Sequence, residues 1–88
     1  MLRIAEKNKI TGEKIDLKEL EKFNLEFNEK NGRYEYIERH CDGFTYININ
    51  SWNRKILFEQ KKEYDHICLK ILYDLIVAGY VEKVEEEK

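Results

Sequence analysis

Arg33-Tyr34-Glu35-Tyr36-Ile37-Glu38-Arg39-His40-Cys41-Asp42-Gly43-Phe44-Thr45-Tyr46-Ile47-Asn48-Ile49-Asn50 is the stretch that decides the fold. Aromatic and β-branched residues alternate with polar ones on both sides of Asp42-Gly43, and Asp-Gly between two such runs is a strong hairpin signal. Asn31-Gly32 repeats the signal upstream, and Ser51-Trp52-Asn53-Arg54 supplies a four-residue turn downstream. Residues 24–59 therefore read as a four-stranded antiparallel meander.

The turns also predict the register. Taken as a two-residue loop, Asn31-Gly32 sets Glu29 opposite Tyr34 and Phe27 opposite Tyr36. Asp42-Gly43, treated alike, sets Tyr36 opposite Ile49 and Glu38 opposite Ile47. The turn Ser51–Arg54 sets Ile49 opposite Ile56 and Ile47 opposite Phe58. Cross-strand partners share a sheet face, so Leu25, Phe27, Tyr34, Tyr36, Ile47, Ile49, Ile56 and Phe58 gather on one side.

Outside the meander the period changes to a helical one. In residues 60–78, Tyr64, Ile67, Cys68, Ile71, Leu72, Leu75 and Ile76 recur at helical spacing, with Glu63, His66, Lys70 and Asp74 opposite and Gly79 placed to end the helix. Leu69 and Tyr73 widen the apolar arc, which points to contact with the first helix or leaves a homodimer open. Asp16-Leu17-Lys18-Glu19 predicts a short helix over 16–23, capped by Asp16 and Glu19, with Leu17, Leu20 and Phe23 inward. Residues 1–10 fit a strand through Leu2 and Ile4 or a frayed helix. Tyr80-Val81-Glu82-Lys83-Val84 suggests a short edge strand, and residues 82–88 a charged, fraying tail. The expected class is α+β: a single domain over 1–88, an antiparallel four-stranded meander with a short N-terminal and a long C-terminal helix packed on one face.

Composition narrows the function. At 88 residues the chain has room for one core, and 42% hydrophobic with 39% charged residues suits a folded domain. The net charge of −2 is spread along the chain and offers no field for nucleic acid or an anionic membrane. No apolar run reaches transmembrane length and the start lacks a secretory pattern, so a cytoplasmic protein without membrane contact is expected. Cys41 and Cys68 are too few for a disulfide framework.

Catalytic signatures are missing. No nucleophile elbow, phosphate loop, dinucleotide turn or HExxH pattern occurs. Glu38 falls on the apolar face, where a strand-end carboxylate reaching water or His40 explains it without catalysis. His40-Cys41 and His66-x-Cys68 carry zinc-ligand residue types, but strand neighbours point to opposite faces and helix positions two apart diverge by about 200°. The reading is a non-enzyme with no catalytic residues, no metal and no cofactor.

The second sheet face carries the functional signal. Ile37, Arg39, Cys41, Phe44, Tyr46, Asn48, Asn50, Lys55 and Leu57 fall there, with Trp52 in the adjoining turn. Aromatic and aliphatic groups ringed by Arg and Asn match protein interfaces, where Trp, Tyr and Arg are over-represented. Ile37, Phe44, Tyr46, Trp52 and Leu57 are the candidate partner-binding residues, with Arg39 and Arg54 on the rim. The N-terminal segment or the first helix covering this face is the competing expectation. Stacking of Phe44 and Tyr46 on bases, as in a small nucleic-acid-binding or regulatory protein, is the alternative function.

Asp16-Leu17-Lys18-Glu19-Leu20, the Asp42–Ile49 hairpin and the run Ile71–Val84 together resemble small uncharacterised proteins of phages and mobile elements in AT-rich bacteria, anti-CRISPR proteins among them. The abundance of Lys, Asn, Ile and Tyr fits an AT-rich genome. The resemblance implies a single α+β domain that blocks a host defence protein or ribonucleoprotein complex sterically, in the host cytoplasm.

Overall fold

The computed structural model describes residues 1–41, 43–59 and 67–85, with His40 as backbone. Its sheet is the meander: β2 (Glu26–Asn28), β3 (Arg33–His40), β4 (Gly43–Asn50) and β5 (Ile56–Glu59), antiparallel and in chain order. A second, two-stranded sheet joins β1 (Leu2–Ile4) to β6 (Val81–Lys83). A 3₁₀ helix, Leu17–Phe23, and α1, Ile67–Val77, complete the α+β fold. No described helix is long and apolar enough to cross a membrane.

One turn follows its expected register and two differ by two residues. Ile49 pairs with Ile56 and Ile47 with Phe58, as Ser51–Arg54 requires. Arg54 closes that turn in the left-handed region (φ 63), donating its N–H to the Asn50 carbonyl. The β2–β3 connection instead has four residues, because Asn28 pairs with Arg33 and Phe27 with Tyr34. The Asn28 side chain accepts from the Lys30 N–H, and Gly32 donates to the Asn28 carbonyl. Only Gly32 takes a positive φ there, so Asn31 does not form the expected type I′ turn. Between β3 and β4, His40 pairs with Gly43, which puts Tyr36 opposite Ile47 and Glu38 opposite Thr45. Cys41 follows β3 as a turn residue, and Asp42 lies outside the described residues. A two-residue shift preserves the face of every side chain, so the core face survives both corrections.

That face forms the core. Tyr34, Ile47, Ile49 and Ile56 are buried with Ile4, Ala5, Ile15, Leu20, Leu25, Cys68, Ile71 and Leu75, while Tyr36, Phe58 and Leu72 pack against them. Phe27 sits at the sheet margin, exposed but with its ring 4.9 Å from that of Tyr34. Cys68 brings α1 onto the sheet, its Sγ 3.9 Å from the Tyr36 carbonyl and 4.0 Å from Thr45 Oγ1. Of the expected helical stripe, Ile67 and Ile76 are exposed; Glu63, Tyr64 and His66 lie outside the described residues.

Caps and pairings hold the remaining segments. The Asp16 side chain accepts from Lys18 N–H, and Glu19 accepts from Asp16 N–H at 2.9 Å, the expected capping box. Leu17, Leu20 and Phe23 recur every third residue, which suits the three-residue turn of a 3₁₀ helix. At the end of α1, Gly79 (φ 85) donates to Ile76 and Tyr80 donates to Leu75, a Schellman arrangement. Within residues 1–10 only Leu2–Ile4 forms a strand, paired with β6: Leu2 with Lys83 and Ile4 with Val81. Glu82 and Lys83 are thus part of a sheet, not of a frayed tail, and Arg3 and Lys9 both pair with Glu82.

Candidate interaction face

The alternation that sends Tyr34, Tyr36, Ile47 and Ile49 inward sends Ile37, Arg39, Phe44 and Tyr46 outward. Ile37 stands opposite Tyr46 and Tyr46 opposite Glu59; Arg39 stands opposite Phe44, and Asn48 lies between Glu35 and Leu57. Ile37, Phe44 and Trp52 are 45%, 50% and 61% exposed. Tyr46 and Leu57 are half-buried by their neighbours in the sheet. Burial, with a hydrogen bond to Glu59, raises the Tyr46 phenol above its ordinary pKa, so it stays a neutral donor.

Two cation–aromatic contacts order the large side chains. The Arg39 guanidinium lies 5.5 Å from the Phe44 ring centre, and that of Arg33 5.7 Å from Trp52. Arg33 is further held by its 2.9 Å bond from Nε to Asn50 Oδ1. Trp52 packs against Gly32, where an added Cβ would meet the indole at 3.4 Å. Contacts of this kind at exposed positions contribute about 0.5–1 kcal/mol, a modest bias toward the stacked arrangement.

Arg33 is absent from the candidate residues read off the sequence. Its parity with Ile37 and Arg39 was a usable signal, but the two-residue error in the hairpin register hid its position opposite Asn50. Arg54 differs from its expected rim role. Its Nη1 donates to the Ala5 carbonyl at 2.9 Å and its Nη2 to Ile15 at 3.2 Å, tying the N-terminal segment to the turn. The left-handed backbone of Arg54 aims the side chain that way, a direction that alternation alone does not foresee.

Asn8 is another residue that the sequence reading passed over. Its Oδ1 accepts from Ile10 and Thr11 N–H, and its Nδ2 donates to the Ala78 carbonyl at 2.9 Å, fastening the first loop to the end of α1. Leu69 and Tyr73 lie away from the sheet, exposed beside Val77 and Ile76. Among the described residues no three His, Cys, Asp or Glu side chains cluster as metal ligands would; Cys41 is exposed and Cys68 buried. No family model matches the chain, and neither a curated protein nor a solved structure is found to match it.

Proposed function

We propose that the chain is a non-enzymatic protein-binding module that acts through the outward face of its sheet, as an inhibitor that blocks a host defence protein or ribonucleoprotein complex sterically. The observation that carries the binding reading is that Ile37, Phe44 and Trp52, spread from the start of β4 to the turn beyond its end, each leave about half or more of their surface in solvent. Large apolar side chains exposed among Arg and Asn match the make-up of contact surfaces. Arg33 and Arg39 lie over the Trp52 and Phe44 rings, and Arg with Trp and Tyr is the set that dominates binding energy at interfaces.

Capture of partners from an AT-rich bacterial host, followed by titration of the captured protein against Trp52→Ala and Phe44→Ala, tests the reading. Loss of a central aromatic anchor costs about 2 kcal/mol or more, roughly thirtyfold in affinity. Unchanged affinity in both variants would sink the proposal. A captured nucleic acid bound with steep salt dependence would favour the nucleic-acid alternative.

A further inference from the structure

The margin of β3 beyond β2 is an open sheet edge. Asn50 donates its N–H to the Lys55 carbonyl, so even-numbered residues of β4 direct their backbone groups toward β5 and odd-numbered ones toward β3. Ile49 pairs with Tyr34, Ile47 with Tyr36 and Thr45 with Glu38. Even residues of β3 therefore bond to β4, while Arg33, Glu35, Ile37 and Arg39 direct their N–H and C=O groups to the other side. There β2 meets only Arg33 and Glu35, through Asn28 and Glu26. The backbone groups of Ile37 and Arg39 are left without a backbone partner among the described residues.

The fold itself keeps that edge open. Asn24, left-handed at φ 67, ends the 3₁₀ helix, and Leu25 turns into the core at 1% exposure. The chain thus joins the sheet only at Glu26. A groove runs along the vacant row, lined by Glu21, Leu25, Glu26, Glu35, Ile37 and Arg39 among others. Glu38, on the core-facing side of the same stretch, has a buried Oε2 with no hydrogen-bond partner among the described residues.

We propose that this edge takes up an extended segment of a partner protein as an added strand in line with β2, with a Lys or Arg of that segment opposite Glu38. The inference rests on the outward face being a protein-binding surface, since Ile37 and Arg39 belong to both. Main-chain bonds to Ile37 and Arg39 supply the affinity, as in other cases of strand addition. Tyr36–His40 gives room for about five residues, roughly 17 Å at the usual strand rise. The Glu38 oxygen, without a partner among the described residues, selects the basic residue opposite it; Glu26 and Glu35 add negative charge on the outward side of the groove, beside Arg39. A second copy of this chain is disfavoured in the antiparallel register that pairs Ile37 with Arg39, because it sets Glu38 against its own counterpart, and like charges directly opposite destabilise a sheet.

Amide hydrogen exchange on the free chain is the first test: Ile37 and Arg39 should exchange roughly tenfold or more faster than Tyr36 and Glu38, whose amides bond to β4. Equal protection would overturn the open edge. The binding probe is a capped pentapeptide of alternating valine and lysine, compared with its valine and glutamate counterpart. The lysine peptide should protect Ile37 and Arg39 and bind about tenfold more tightly than the glutamate one; Glu38→Gln should narrow that preference. Ile37→Pro should abolish binding without removing an internal bond, because that N–H points outward, and Arg39→Pro repeats the test at the next outward position. Perturbations elsewhere, no binding, or a concentration-dependent dimer that protects the same amides would each overturn the proposal. The failures are separable. Trp52→Ala should leave peptide binding intact, so a captured partner that protects the edge amides but ignores Trp52→Ala sinks the face and spares the edge.

Discussion

Thr45, Ile47 and Ile49 on β4 are fully enclosed, whereas Phe44, one residue earlier on the same strand, keeps half its surface in water. Both faces of the strand carry large side chains, and the inward ones share a buried core with residues of α1, the 3₁₀ helix and the N-terminal segment. Asn48 and Asn50 complicate the contrast, being buried on the outward face. They sit on a central strand, and Asn50 is held by Arg33, whose guanidinium in turn lies over Trp52. The comparison teaches that the inward face is under folding constraint, while the outermost aromatics of the other face are free to serve contact.

The largest expected effect breaks the inward face. Ile49→Asp buries a charge that nothing nearby neutralises, a loss of several kcal/mol against a total stability of about 5–15 kcal/mol. Chemical denaturation should show little or no cooperative folding, and a parent-like curve would refute the assignment of faces. Next comes the contrast between two arginines. Arg54→Ala removes two bonds to backbone carbonyls and should cost about 1–3 kcal/mol, while Arg39→Ala should leave stability within about 0.5 kcal/mol. Equal losses would show that the turn does not depend on the Arg54 bonds. Smaller still, Phe44→Ala should shift stability by about 0.5 kcal/mol or less, and Trp52→Ala by about 0.5–1 kcal/mol through its contact with Arg33. Losses of several kcal/mol in thermal melts would place those rings in a core.

The smallest effect is a titration. Glu19 accepts the Asp16 N–H and the Tyr80 hydroxyl, and these bonds hold its carboxyl below the ordinary 4.5. A depressed carboxylate contributes stability that is present above the unfolded value and lost as pH falls through the folded one. Tyr80→Phe should move the Glu19 titration, followed by carbon NMR, part of the way back toward 4.5, the Asp16 bond retaining the larger share. No movement would show that the hydroxyl does not reach Glu19.

Much of the sheet was legible because its signals are local. Alternation marked the strands, and the turn from Ser51 to Arg54 marked its register. Asn31-Gly32 misled because Asn28, three residues earlier, offered a competing side-chain acceptor that a dipeptide reading cannot weigh. Asp42-Gly43 misled because Gly43 pairs within the strand. The candidate face was legible through the same parity, which is why Ile37, Phe44 and Tyr46 point outward as expected. Arg54 was not, because a left-handed residue departs from strand alternation.

By itself the amino-acid sequence determined the α+β class, the four-stranded meander, which side chains share a face, the cap at Asp16 and the stop at Gly79. Each depends on residues close together in the chain, through backbone torsions, side-chain period or a bond across one turn. Only the tertiary structure decided that β1 closes against β6, that Asn8 grips the end of α1, that Arg54 serves the N-terminal segment, and that β2 pairs with Arg33, Tyr34 and Glu35 alone among the residues of β3. Those outcomes join residues up to some eighty positions apart, and no local pattern encodes which distant carbonyl a side chain will meet or which strand edge the chain will leave uncovered.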